Sequence, residues 1–241
     1  MLLNDVALAR RAVAEFLGTL FLVAVVVGSG IAAQRLSPDD VGLQLLENAL
    51  ATGAGLVAII LAVGPVSGAH LNPVVTLVDR YFGGVSSRDV MAYVPAQVTG
   101  ACVGAVIANL MYELPAIQLS TKTRSGSGRD LAEVVATTGL LLVIFGVARS
   151  GRTKLAPFAV GAYIAAAYWF TSSTSFANPA VTVGRMLTNT FTGIKPSSGV
   201  AFVAFQLVGG AVAVGLIRML YPDIASGSAA IVVPHEHDVA P

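Results

Sequence analysis

Long stretches of this chain carry no charged side chain. Asp, Glu, Lys and Arg are absent from residues 48–78, 90–112, 155–184 and 196–217. Only Glu15 interrupts residues 12–34, and only Glu133 interrupts 131–148. A helix that crosses a bilayer needs ~20 largely apolar residues. The pattern therefore predicts an all-α membrane protein with six spans, at about 12–33, 45–63, 90–112, 131–148, 157–171 and 199–220. The uncharged stretches 48–78 and 155–184 exceed what one span requires. Their second halves are rich in Pro, Gly and Ser, which predicts a span followed by a re-entrant loop and a short half-helix. Irregular backbone at membrane depth is tolerated only inside protein or along a watery cavity.

Each of these second halves holds a near-copy of one decapeptide, Ser-Gly-Ala-His-Leu-Asn-Pro-Val-Val-Thr at 67–76 and Ser-Thr-Ser-Phe-Ala-Asn-Pro-Ala-Val-Thr at 173–182. Asn before Pro is a helix start, because Asn caps and Pro fills a first position that needs no donor. A helix beginning inside a membrane leaves free N–H groups and a positive dipole end at that depth. Asn72-Pro73-Val74 and Asn178-Pro179-Ala180 therefore point to a channel or transporter. Other matches support duplication. Ala14-Glu15 with Thr19 mirrors Ala132-Glu133 with Thr137, and Gln97 before Gly100-Ala101 mirrors Gln206 before Gly209-Gly210-Ala211. The chain reads as one transmembrane channel domain (1–241) with repeat halves at about 10–115 and 128–221, and a mobile tail at 222–241. Three spans per half force the second half to run inverted, so the two half-helices meet N-terminus to N-terminus near the midplane.

Composition narrows the function class. Of 241 residues, 55% are hydrophobic and 11% charged, with mean hydropathy +0.78; soluble domains carry roughly a quarter charged residues. The net charge of +1 suggests no nucleic-acid partner. Cys102 is the sole cysteine, so no intramolecular disulfide forms. No metal site or cofactor is expected, since His235 and His237 lack further ligands. No nucleophile–base pair supports an enzyme. With the N-terminus inside, the cytoplasmic side holds eight Lys/Arg (residues 10, 11, 80, 88, 149, 152, 154 and 218) and the outside six (35, 122, 124, 129, 185 and 195). The bias places both termini in the cytoplasm.

Glu15 and Glu133 are intramembrane carboxylates, functional candidates by default. Their repeat relation favours a structural role, accepting hydrogen bonds from backbone N–H groups of the re-entrant loops. Gln97 and Gln206 read likewise. Ala96, Gly100, Gly104 and Ala108 form a small-residue ridge suited to close helix packing, within or between protomers.

The segment Ala14-Glu15-Phe16-Leu17-Gly18-Thr19, the two Asn-Pro decapeptides and the duplication together resemble the aquaporin/aquaglyceroporin (major intrinsic protein) family. The resemblance covers about residues 10–221. It implies a right-handed bundle of six helices and two half-helices, one pore per protomer and a homotetramer in the lipid bilayer. It also implies that Asn72 and Asn178 cap their half-helices and turn amide N–H groups into the lumen.

Departures from the family pattern bear on the solute. The usual Arg three residues after the second motif Asn is Val181, the frequent aromatic 20 residues before the first Asn is Thr52, and Ser175 stands three before the second. The fifth-span filter position is Ala166 by counting back from Asn178, or Tyr168 by aligning Pro157 and Gly161. Either choice predicts an uncharged constriction widened by small side chains, with Val74 adding slight bulk at the midplane. Arg185 and Asp79 hold matching positions seven residues after each Asn and read as mouth or structural residues. His70 is a possible gate by protonation. The pattern resembles bacterial aquaporin-like channels associated with arsenic resistance. That resemblance implies passive passage of arsenous acid, methylated trivalent arsenicals, glycerol and some water across a bacterial inner membrane. A general glycerol/water facilitator and an ion-coupled secondary transporter are the alternatives.

Overall fold

The computed structural model describes residues 6–222. The elements are α1 (Leu8–Leu36), α2 (Val41–Ser67), α3 (Pro73–Phe82), α4 (Ser87–Met111), α5 (Ser127–Arg149), a 3-10 turn (Thr153–Leu155), α6 (Ala156–Phe170), α7 (Pro179–Arg185) and α8 (Pro196–Leu220). Each span read from the sequence coincides with one helix to within about a turn at either end. Asp40 caps α2 by accepting from Leu43 N, and the Ser86–Asp89 capping box starts α4. Gly68 ends α2 in the left-handed region at φ 85°. Among the described residues, five helices are long and apolar enough to cross a membrane. The sixth, α6, has 15 residues and is continued by the 3-10 turn before it and irregular chain after it.

The packing obeys the duplication. Helix α1 packs on α2 and α4 as α5 packs on α6 and α8, and each half-helix bridges the halves, α3 against α4 and α8, α7 against α8 and α4. On the pseudo-symmetry axis α2 crosses α6 at Gly53 and Gly161, where a Cβ on either would come within 3.0 Å of the other's carbonyl oxygen. The small-residue ridge of α4 is used inside the protomer: a Cβ on Gly100 or Gly104 would collide with the carbonyl oxygens of Phe16 and Leu20 on α1. Outward faces carry exposed Phe21, Met91, Trp169, Phe170 and Val200, an apolar exterior suited to lipid. His235, His237 and the tail beyond 222 lie outside the described residues.

Candidate functional site

The two Asn-Pro segments meet at the centre of the bundle. Asn72 Oδ1 accepts from Val74 N (3.0 Å), and Asn178 Oδ1 accepts from Ala180 N (3.0 Å) and Val181 N (3.3 Å), with Pro first in both half-helices. Each Asn then donates across the axis. Asn72 Nδ2 donates to Ala177 O (2.8 Å) and Asn178 Nδ2 to Leu71 O (2.7 Å). This modifies the expectation that both amide N–H groups face the lumen: one from each Asn clasps the opposite loop, leaving one each for a passing oxygen.

The loops leading into the half-helices are strained in register. Ala69 (φ 50°), Leu71 (53°), Ser175 (48°) and Ala177 (46°) are non-glycine residues in the left-handed region, at repeat-related positions. Such geometry costs roughly 1–3 kcal/mol per residue and persists only where the surroundings enforce it. The two buried glutamates supply the enforcement. Glu15 accepts from His70 N (2.9 Å), Leu71 N (2.6 Å), Ser67 Oγ (2.6 Å) and Gln97 Nε2 (2.7 Å). Glu133 accepts from Phe176 N (3.0 Å), Ala177 N (2.9 Å) and Gln206 Nε2 (2.6 Å). Gln97 and Gln206 also donate to Thr76 and Thr182, whose hydroxyls donate to the carbonyls of Asn72 and Asn178. Sequence to strain to clamp is thus one chain of causes, built twice.

Beside this junction lies a cavity of ≈ 60 Å³, above the ~10–15 Å³ a cavity needs to hold water. Its apolar wall is repeat-paired, Leu22 with Leu140, Val26 with Ile144, and Leu56 with Ile164. Val75 and Val181, each three residues after a motif Asn, both line it, as do Asn72, Asn178, Thr52 and Ser175. Tyr168 lines it too, its hydroxyl 3.2 Å from Thr52 Oγ1. Ala166 does not reach the cavity and is exposed on the outer face of α6, as Ala58 is on α2. Residue 168 is two positions beyond 166, and that rotation of about 200° puts them on opposite helix faces. Ser175 Oγ is buried and has no hydrogen-bond partner among the described residues.

Three expectations are corrected here. Val74 adds no bulk to the cavity; it points into α8, where a Cβ on Gly210 would come within 2.8 Å of its Cγ1. Small side chains do not stand alone on this wall, because Tyr168 lines the cavity beside Thr52. Nor is the cavity uncharged: Arg185, 2% exposed, lines it. Its Nε donates to Thr192 O (2.6 Å) and its Cζ lies 3.4 Å from the centroid of Phe176. His70 also lines the cavity, with Nε2 3.3 Å from Asp79 Oδ2 and Nδ1 3.1 Å from Thr76 Oγ1. Above the site, loop 112–126 lies on loop 186–195, and Arg124 and Lys122 donate to the carbonyls of Phe191 and Gly193. Burial, then Arg124 and Arg185, push the Lys122 ammonium down to about 8.

The sequence profile of the major intrinsic protein family matches residues 2–175. The chain belongs to the major intrinsic protein family. Members of this family are passive channels and not enzymes. A curated relative, the aquaglyceroporin AqpS of Rhizobium meliloti (strain 1021), is 50% identical over 218 residues, covering 90% of this chain and 93% of its own. The aquaporin NIP1-3 of Oryza sativa subsp. japonica is 35% identical over 222 residues, covering 89% of this chain and 76% of its own. The X-ray structure of the aquaglyceroporin from Plasmodium falciparum superposes with a TM-score of 0.71 over 90% of this chain and 99% of that one, at 22% identity, and shows the shared fold. As a major intrinsic protein, this chain is an integral membrane channel for water and small solutes such as glycerol. Two lining residues were not legible beforehand as such. Val75 follows from applying the 106-residue offset between the Asn residues to Val181. The inward aim of Arg185 depends on Phe176, which only the folded loop brings beneath it.

Proposed function

We propose that this major intrinsic protein passes small uncharged solutes with several hydroxyls and some apolar surface: glycerol, arsenous acid and methylated trivalent arsenicals. The observation that carries this reading is the two-sided wall at the filter. Val181 is apolar, while Thr52 and Tyr168 bring hydroxyls to the same cavity and Ser175 lines it. A solute with hydroxyls on one side and carbon or a bare arsenic lone pair on the other is complementary to such a wall. The midplane adds one N–H from each motif Asn and two positive half-helix ends, which disfavour cations. The protein is read as lying in a bacterial inner membrane with both termini cytoplasmic, supported by the Lys/Arg bias and by the rhizobial relative, and as a homotetramer from the family resemblance.

Stopped-flow light scattering on proteoliposomes tests the solute, comparing water, glycerol and arsenous acid against protein-free vesicles. Fast entry of glycerol and arsenous acid is expected. Glycerol entry without arsenous acid would leave the general glycerol/water facilitator. Water flux alone would mean that Tyr168 closes the filter to larger solutes.

A further inference from the structure

The two half-helices of this channel carry opposite charges at matching positions, Asp79 and Arg185, seven residues after each motif Asn. The structure treats them differently. Asp79 is engaged by His70 and does not line the cavity. Arg185 does line it, is buried, and has no carboxylate partner among the described residues. Only its Nε–H is used, by Thr192 O; its four terminal N–H bonds have no hydrogen-bond partner there. A guanidinium at membrane depth that lines a cavity and has no carboxylate partner among the described residues is a functional candidate by default.

The side-chain direction follows from helix geometry. Helical side chains lean toward the N-terminus of their helix, and the N-terminus of α7 lies at the bundle centre. A long side chain at 185, one turn after Val181, therefore reaches back down the lumen rather than out of the mouth. Its Cζ stacks on Phe176, a residue that precedes the helix altogether. The ring and the Thr192 carbonyl fix the guanidinium from two sides. Arg124 lies 5.3 Å from the centroid of the same ring, so positive charge is concentrated at this level.

We propose that Arg185 is the charge-selecting residue of this pore, a guanidinium supplied from one turn farther along α7 while Val181 keeps the filter wall apolar. Arg185 sets the electrostatic barrier to protons and metal cations, and Val181 with Thr52, Tyr168 and Ser175 sets the size and polarity of the neutral solute. Separating the two tasks lets an apolar wall coexist with cation exclusion. The assignment rests on the passive-channel reading proposed above.

The test uses the full chain in proteoliposomes and reads a ratio: proton leak, from an entrapped pH dye under a valinomycin-set potassium potential, divided by glycerol flux in the same vesicles. Wild-type protein is expected to show glycerol flux above protein-free vesicles with little added leak. Arg185→Met is expected to raise the ratio about tenfold or more, a single charge at such distances being worth that much in a low-dielectric site. Arg185→Lys, which keeps the charge, is expected to stay near the wild-type ratio. Where Arg185→Met does not assemble, Arg185→Gln keeps an N–H for the Thr192 carbonyl and is expected to leak likewise. A wild-type ratio in Arg185→Met or Arg185→Gln overturns the proposal. So does an Arg185→Lys leak equal to that of the uncharged variant, which would mark a structural role. Absence of glycerol flux in the wild type overturns the solute reading proposed above instead.

Discussion

At the scale of single residues, the two motif asparagines act less as free donors than as a clasp, and the two glutamates hold the clasp in shape. Removing one glutamate would strand the N–H groups it satisfies. Glu133→Leu leaves Phe176 N, Ala177 N and one Gln206 N–H without an acceptor, at roughly 1–3 kcal/mol for each buried orphan. The expected outcome is a sharp fall in the yield of monodisperse detergent-solubilised protein and a lower melting temperature. Unchanged melting would remove the clamp role. The filter yields a second prediction. Val181→Arg places a long cation on the wall facing Tyr168 and Thr52, and with Arg185 already in the cavity it both narrows and over-charges it. Glycerol flux is expected to fall about tenfold or more and water flux less, since a bulky side chain excludes by size first. Equal loss of both in well-assembled protein would move the constriction away from residue 181.

At the scale of elements, each helix was legible from charge-free stretches, and the half-helices from Asn-Pro, because membrane insertion and helix capping are local constraints. The register between elements was not legible, and the misplacements all arise there. Counting from Asn178 crosses the irregular 171–177 loop, whose left-handed residues give no constant advance per residue, so Ala166 and Tyr168 could not be separated. The Gly53–Gly161 crossing fixes the register of α6 against α2 and turns Tyr168 inward. Val74 was misread for the same reason: its neighbour across the element boundary, Gly210, is 136 positions away (210 − 74). That contact is testable. Gly210→Ala is expected to destabilise by about 1–3 kcal/mol through overpacking, and Val74→Ala in the same chain to recover most of the loss. Melting of the two single variants and the double variant checks the pair. Additive effects would mean that α3 and α8 do not meet there.

At the scale of the whole molecule, the pseudo-two-fold design bears on how transport is driven. Ion-coupled transporters share inverted repeats and broken helices with this fold, so architecture alone does not separate the two. What separates them is the state of the membrane carboxylates. A proton-coupling carboxylate must exchange its proton with solvent during each cycle, which requires access and a hydrogen-bond environment that tolerates both forms. Glu15 and Glu133 are fully buried and each accepts from the backbone of its re-entrant loop and from a glutamine. Protonating either one would replace an acceptor with a donor facing other donors, and would release the strained loop that forms the pore. Asp79, the other acidic residue near the site, is held at His70 and does not line the cavity. Among the described residues no carboxylate lines the cavity, so none there is available to couple an ion to the solute. Glycerol flux into proteoliposomes is expected to follow the glycerol gradient alone, with the same rate within experimental scatter when proton and sodium gradients are imposed, reversed or collapsed by ionophores. A flux that accumulates solute against its gradient when a proton gradient is imposed would require one of these carboxylates to open to the lumen, contrary to the geometry that holds the loops in place.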